Sequence, residues 1–203
     1  MQKSPWFPLL TLACATLGLA LVLAHPAAAD EEWTKIDCAG PDAHLQPPPG
    51  INANCFQGPF EMARGQLDCR LSNYSIGYPA EATEPRFYVH LRYPKGSGKV
   101  CSTVAFPHPE GAMKHVHKFV ETDAKNWSAM QQVGNDVELM FFDAKNQKRD
   151  GKCFTFTKTG PQAGKSGMGH LFTMIGFFCK APGQPLDAAA ATALVNAIVV
   201  KPL

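Results

Sequence analysis

Gly151-Lys-Cys-Phe-Thr-Phe-Thr-Lys158 and His170-Leu-Phe-Thr-Met-Ile-Gly-Phe-Phe-Cys-Lys180 decide the fold. Both segments are rich in aromatic and β-branched residues, which suit a pleated, half-buried surface. A glycine-rich loop, Gly160-Pro-Gln-Ala-Gly-Lys-Ser-Gly167, separates them. Two such runs across a short glycine-rich connection predict a β-hairpin. With Cys153 opposite Cys179, Phe154 faces Phe178, Thr155 faces Phe177 and Phe156 faces Gly176. A cross-strand disulfide then pins the register, and Gly176 leaves room for the Phe156 ring.

The chain after the hairpin predicts a helix. Asp187 follows Pro185 and precedes an alanine run, with its carboxylate placed to cap the first turn. Ala191, Leu194, Val195 and Ile198 fall at helical spacing and form one apolar stripe.

Working back from the hairpin, Asp136-Val-Glu-Leu-Met-Phe-Phe142 reads as a strand. Ala112, Met113, Val116, Phe119 and Val120 fit a helix over 112–121, continuing or restarting through Trp127, Met130 and Val133. Arg86-Phe-Tyr-Val-His-Leu-Arg-Tyr93 is a strand between Pro85 and Pro94, and Lys99–Phe106 is its expected hairpin partner. Leu67–Tyr78 reads as a strand with an irregularity near Ser72-Asn73. Short links between strands require antiparallel pairing. The expected fold is α+β: a mainly antiparallel sheet with helices packed against it, stabilised by disulfides.

In this element order the chain resembles the PsbP-like domains, which have an antiparallel sheet between helices and a helix after the last strand. The resemblance covers about the last 70 residues and rests on no signature motif. It implies an accessory or binding role and carries over no catalytic residue.

The N-terminus predicts export. Lys3, the apolar run Leu9–Leu23, and Ala27 and Ala29 match the three regions of a cleaved signal peptide over residues 1–29. The apolar run is short for a membrane span, so no stable span is expected after cleavage. Removing 29 residues from 203 leaves 174, enough for one domain. Residues 30–60 read as a proline-rich irregular arm, with Pro41, Pro47, Pro48 and Pro49, and 61–203 as a single domain. A periplasmic or secreted location follows. The chain carries a formal net charge of +2, and Lys3 leaves with the signal. That near-neutral balance gives no electrostatic case for nucleic acid.

Six cysteines remain after Cys14: Cys38, Cys55, Cys69, Cys101, Cys153 and Cys179. An even number in an exported chain predicts disulfides. Cys38–Cys55 is expected to close the arm on itself. There is no Cys-x-x-Cys, so zinc-ribbon and thioredoxin-type chemistry find no support.

Three constellations bear on chemistry. The Gly160–Gly167 loop resembles a phosphate loop but has three residues, not four, before Gly-Lys-Ser, and Pro161 has no amide to donate. Ser166 lacks the closing glycine of a nucleophile elbow. His108, Met113, His115 and His117, with His170 in reserve, offer soft and borderline ligands suited to copper or zinc. On a helix, however, His115 and His117 point about 200° apart. Arg86, Tyr88, His90 and Arg92 share one face of their strand and suit an anionic or planar ligand. The expected function is therefore non-enzymatic binding of a protein or small molecule without a cofactor. The alternatives are a periplasmic copper or zinc protein and a hydrolase with an unrecognised site.

Overall fold

The computed structural model describes residues 32–62, 69–77, 87–96, 123–146, 149–163, 169–180 and 186–202. All of these residues belong to one compact unit, Glu31–Leu203. The expected signal peptide and the 112–121 helix lie outside the described residues.

The hairpin forms as expected. Arg149–Thr159 (β10) pairs antiparallel with Thr173–Cys179 (β11), with Cys153 opposite Cys179, Phe154 opposite Phe178 and Phe156 opposite Gly176. Cys153 and Cys179 are bonded. Gly176 is required by close approach: a Cβ there would lie 2.5 Å from the Tyr88 carbonyl oxygen and 2.8 Å from the Phe156 ring.

Around this hairpin the strands are Thr34–Ile36 (β1), Leu45–Gln46 (β2), Asn54–Gln57 (β3), Glu61–Met62 (β4), Cys69–Gly77 (β5), Phe87–Gly96 (β6), Asp123–Lys125 (β7), Gln131–Val133 (β8) and Val137–Asn146 (β9). The helix Ala188–Ala197 (α1) and the short strand Val199–Val200 (β12) end the described chain. The main sheet has ten strands in the order β1-β3-β5-β6-β11-β10-β9-β7, with β4 beside β5 and β8 beside β9. All pairings are antiparallel.

This corrects the α+β expectation. The structure is mostly antiparallel sheet, with a single short helix among the described residues. Residues expected to continue a helix through Trp127, Met130 and Val133 instead supply β7 and β8, both paired with β9. Asn126, between them, takes a left-handed conformation with φ of 54°, which a helix does not accommodate. The apolar spacing of Trp127, Met130 and Val133 therefore does not report a helix face. Trp127 stacks on Phe142, with ring centroids 4.5 Å apart.

From Tyr88 to Arg92, β6 is flanked by β5 and β11; its expected hairpin partner, 99–106, lies outside the described residues. β6 runs past Pro94 and stays paired with β5 as far as Gly96. The irregularity near Ser72-Asn73 is a change of partner: β4 pairs with Arg70 and Leu71, and β3 with Tyr74–Gly77.

The proline-rich arm is not wholly irregular. β1 and β3 from within it pair with each other, and β3 joins the sheet against β5. The Cys38–Cys55 bond ties the arm as expected. The end of the described chain returns to the arm as well. β12 pairs with β2, and Lys201 N–H donates to the His44 carbonyl.

One sheet face carries the main core. Tyr74, Ile76, Phe87, Val89, Leu91, Leu139, Phe154, Phe156, Met174 and Phe178 pack there with Ala191 and Val195 of α1 and with Ile198 just after it. Asp187 caps the helix, its Oδ1 accepting from Ala190 N at 2.8 Å. Lys158 on β10 donates to Asn196 Oδ1 at 2.9 Å and ties the helix to the sheet. The period-2 alternation of the strands sends every second residue to the opposite face. The candidate site lies on that second face.

Candidate functional site

Register assigns the second face row by row. One row runs Asn73, Arg92, Thr173, Thr159 across β5, β6, β11 and β10. The next runs Phe56, Ser75, His90, Ile175, Thr157, Glu138 from β3 to β9. A third runs Gly77, Tyr88, Phe177, Thr155, Met140. Beyond it the Cys153–Cys179 bond, Phe142, Ala144 and Trp127 form a second apolar cluster with Phe177 and Tyr88. The face is thus apolar at the disulfide end and polar toward Arg92.

Much of the polar part is buried. Asn73, Ser75, Thr155, Thr157 and Thr173 are all buried. Buried polar groups must be hydrogen-bonded to be tolerated. Thr155 Oγ1 donates to the Gly176 carbonyl at 2.9 Å, and Thr157 Oγ1 to Glu138 Oε2 at 3.2 Å.

The Asn73–His90 pair lies at the centre of the polar part. Asn73 Nδ2 donates to the Pro59 carbonyl at 2.8 Å. That fixes the amide, so its Oδ1 faces His90 Nε2 at 3.0 Å. A carboxamide oxygen only accepts, so His90 Nε2 carries the proton and Nδ1 presents a lone pair. Burial, helped by the Arg92 charge, pushes the imidazole down to about 3. His90 is therefore neutral at any ordinary pH. Burial likewise pushes the Tyr88 phenol up to about 12, against a hydrogen bond with Ser75 that acts the other way.

This chemistry is suited to recognition. A base that protonates only near pH 3 has little driving force as a proton acceptor at neutral pH. Arg92 beside it disfavours a cation and favours an anion.

Trp33, immediately before β1, reaches this pair. Its indole lies edge-on to His90, with ring centroids 5.6 Å apart and planes at 80°. It crosses Gly58, where a Cβ would meet three indole carbons at 2.8–2.9 Å. Gly58 N–H in turn donates to the Asn73 carbonyl at 2.8 Å.

Of the residues expected to bind ligand, Tyr88, His90 and Arg92 share this face. Arg86 lies outside the described residues, as do His108, Met113, His115, His117, Ser166 and Cys101. His170 sits apart on the hairpin extension, where its Nδ1 is 3.0 Å from the Gly160 carbonyl. Cys69 is disulfide-bonded. Among the described residues no three His, Cys, Asp or Glu side chains form a metal-binding group.

Sequence reasoning missed Asn73, Ser75, Thr173, Trp33 and Gly58. Asn73 and Ser75 share one face of β5, but only the β5–β6 register brings that face beside His90. Nothing local to Trp33 or Gly58 signals their meeting.

No family model matches the chain, and no match was found among curated proteins or solved structures. The resemblance in element order to PsbP-like domains therefore rests on that order alone.

Proposed function

We propose that this is an exported, non-enzymatic binding protein that takes an anionic or planar ligand, free or displayed by a partner, on the Tyr88–His90–Arg92 face. The observation that carries the reading is the Asn73–His90 hydrogen bond. It holds a neutral imidazole in one tautomer beside a guanidinium, an arrangement of fixed donors and acceptors. Pre-ordered polar groups of this kind supply orientation and specificity in small-molecule sites. The Cys38–Cys55 and Cys153–Cys179 bonds are compatible with an oxidising compartment. No helix among the described residues is long and apolar enough to cross a membrane.

Isothermal titration of the purified protein with small aromatic and aliphatic carboxylates and with phosphate tests the proposal. Arg92→Met should weaken any anion bound at this face about tenfold or more, since a charge-assisted hydrogen bond contributes roughly 1.5–3 kcal/mol. Tyr88→Phe removes one hydroxyl and serves as a milder second variant. A ligand whose affinity is indifferent to both substitutions binds elsewhere, and the proposal fails.

A further inference from the structure

We propose that the Trp33 indole is a displaceable cover on the His90–Asn73 site, and that the ligand is an aromatic carboxylate whose ring takes the indole's place over Gly58. This rests on the binding reading above and extends it to a ligand class and a means of closure.

Four observations carry it. First, the indole lies against a glycine. The 2.8–2.9 Å clearances leave no room for any side chain at Gly58, so the backbone there forms a bare floor of ring size. Second, the indole meets its polar neighbour through ring contact. It is half-buried, it meets His90 edge-on, and its nitrogen has no hydrogen-bond partner among the described residues. Ring contacts of that kind contribute modestly and yield to a better ligand. Third, Trp33 adjoins a short strand at one edge of the sheet formed by the described residues. β1 has three residues, lies at the sheet edge and is anchored beyond its far end, where Cys38 bonds Cys55. The Trp33 side of β1 has no such covalent tie among the described residues. Fourth, the flanking charges match an anion. Arg92 lies in the row of Asn73, and Lys35 is opposite Phe56 in the row of His90.

The same floor and the same neighbours that seat the indole would seat another flat ring. A carboxylate on that ring would add what the indole lacks, a charge for Arg92 to hold. Because the cover competes with the ligand, apparent affinity is reduced by the fraction of molecules that are closed.

Benzoate is the probe, with acetate (charge without ring) and benzyl alcohol (ring without charge) as controls. Binding is measured by calorimetry, and the Trp33 indole N–H is followed by NMR, its signal assigned as the one missing from Trp33→Phe. Benzoate should bind and move the Trp33 signal toward that of a solvated indole while leaving Trp127 unmoved. The two controls should bind at least tenfold more weakly. Trp33→Ala should bind benzoate several-fold more tightly than the parent, with Trp33→Phe between them. Gly58→Val should shift the Trp33 signal with no ligand present and weaken benzoate. If benzoate binds and depends on Arg92, yet the Trp33 signal is unmoved and Trp33→Ala gains nothing, the cover is refuted and the binding face stands. If benzoate binds to neither the parent nor Trp33→Ala, this ligand class is wrong. If, in addition, no carboxylate or phosphate binds in an Arg92-dependent way, the reading of the face fails with it.

Discussion

Gly176→Ala isolates one packing contact on which the centre of the sheet depends. Gly176 lies in the middle of β11, between Val89 on β6 and Phe156 on β10. An alanine Cβ would sit 2.5 Å from the Tyr88 carbonyl oxygen, about 0.9 Å inside the 3.4 Å of ordinary contact, and 2.8 Å from Phe156 Cε1. The Phe156 ring is fully buried and has little room to turn away. The carbonyl belongs to backbone paired on both sides, so β6 and β11 must part locally. The Cys153–Cys179 bond holds β10 to β11 on the other side and restricts relief in that direction. Overpacking of this kind costs about 1–3 kcal/mol, and a backbone clash belongs at the upper end, near 3 kcal/mol. Urea unfolding followed by circular dichroism would register this as a midpoint lower by about 1.5 M, taking a slope of about 2 kcal/mol/M. Gly77→Ala is the matched control. Its Cβ would meet Phe87 O at 3.5 Å and Tyr88 Cδ2 at 3.6 Å, which is ordinary contact. It should change stability by no more than about 0.5–1 kcal/mol, and in the stabilising direction. If Gly176→Ala unfolds within about 0.5 kcal/mol of the parent, the Phe156-over-Gly176 packing is wrong.

Other perturbations test separate parts of the structure. Folded His90 protonates at about 3 and a free imidazole near 6.5, so between those values the unfolded chain holds the extra proton. The His90 contribution is fully present above about pH 6.5 and is lost as pH falls toward 3, by up to about 1.4 kcal/mol per pH unit. Urea midpoints measured across that window should fall less steeply for His90→Gln than for the parent, and equal slopes would count against the buried neutral imidazole. Replacing Cys153 and Cys179 together by alanine opens a loop spanning 26 residues, and the unfolding free energy should drop by about 3 kcal/mol. Asp187→Ala removes the carboxylate that accepts from Ala190 N; thermal melts should show a loss of about 1 kcal/mol, and Asp187→Asn should recover most of it.

Legibility in the sequence followed sequence distance. The β10–β11 register was readable because a short connection joins the two strands and the two cysteines mark opposed positions. The cap at Asp187 was readable because it depends on residues three apart. The Tyr88–His90–Arg92 face was readable from alternation, since parity within a strand needs no knowledge of its neighbours. The 123–133 segment was not. Apolar residues at Trp127, Met130 and Val133 satisfy helical spacing, but the left-handed Asn126 and the pairing of 123–125 and 131–133 with β9 prevail over that pattern. This is tertiary pairing overriding a weak local preference.

The sequence by itself determined the hairpin, its disulfide, the capped terminal helix and the faces of individual strands. Each depends on residues close in the chain or on an alternation internal to one element. Only the tertiary structure decided that β6 lies between β5 and β11, that the arm contributes β1 and β3 to the sheet, and that Trp33 crosses Gly58 to His90. A strand carries its two faces in its own residues, but its neighbours are chosen by packing across the whole sheet. The site is built from such neighbours, so its members Asn73, Gly58 and Trp33 became visible only when the strands were placed side by side.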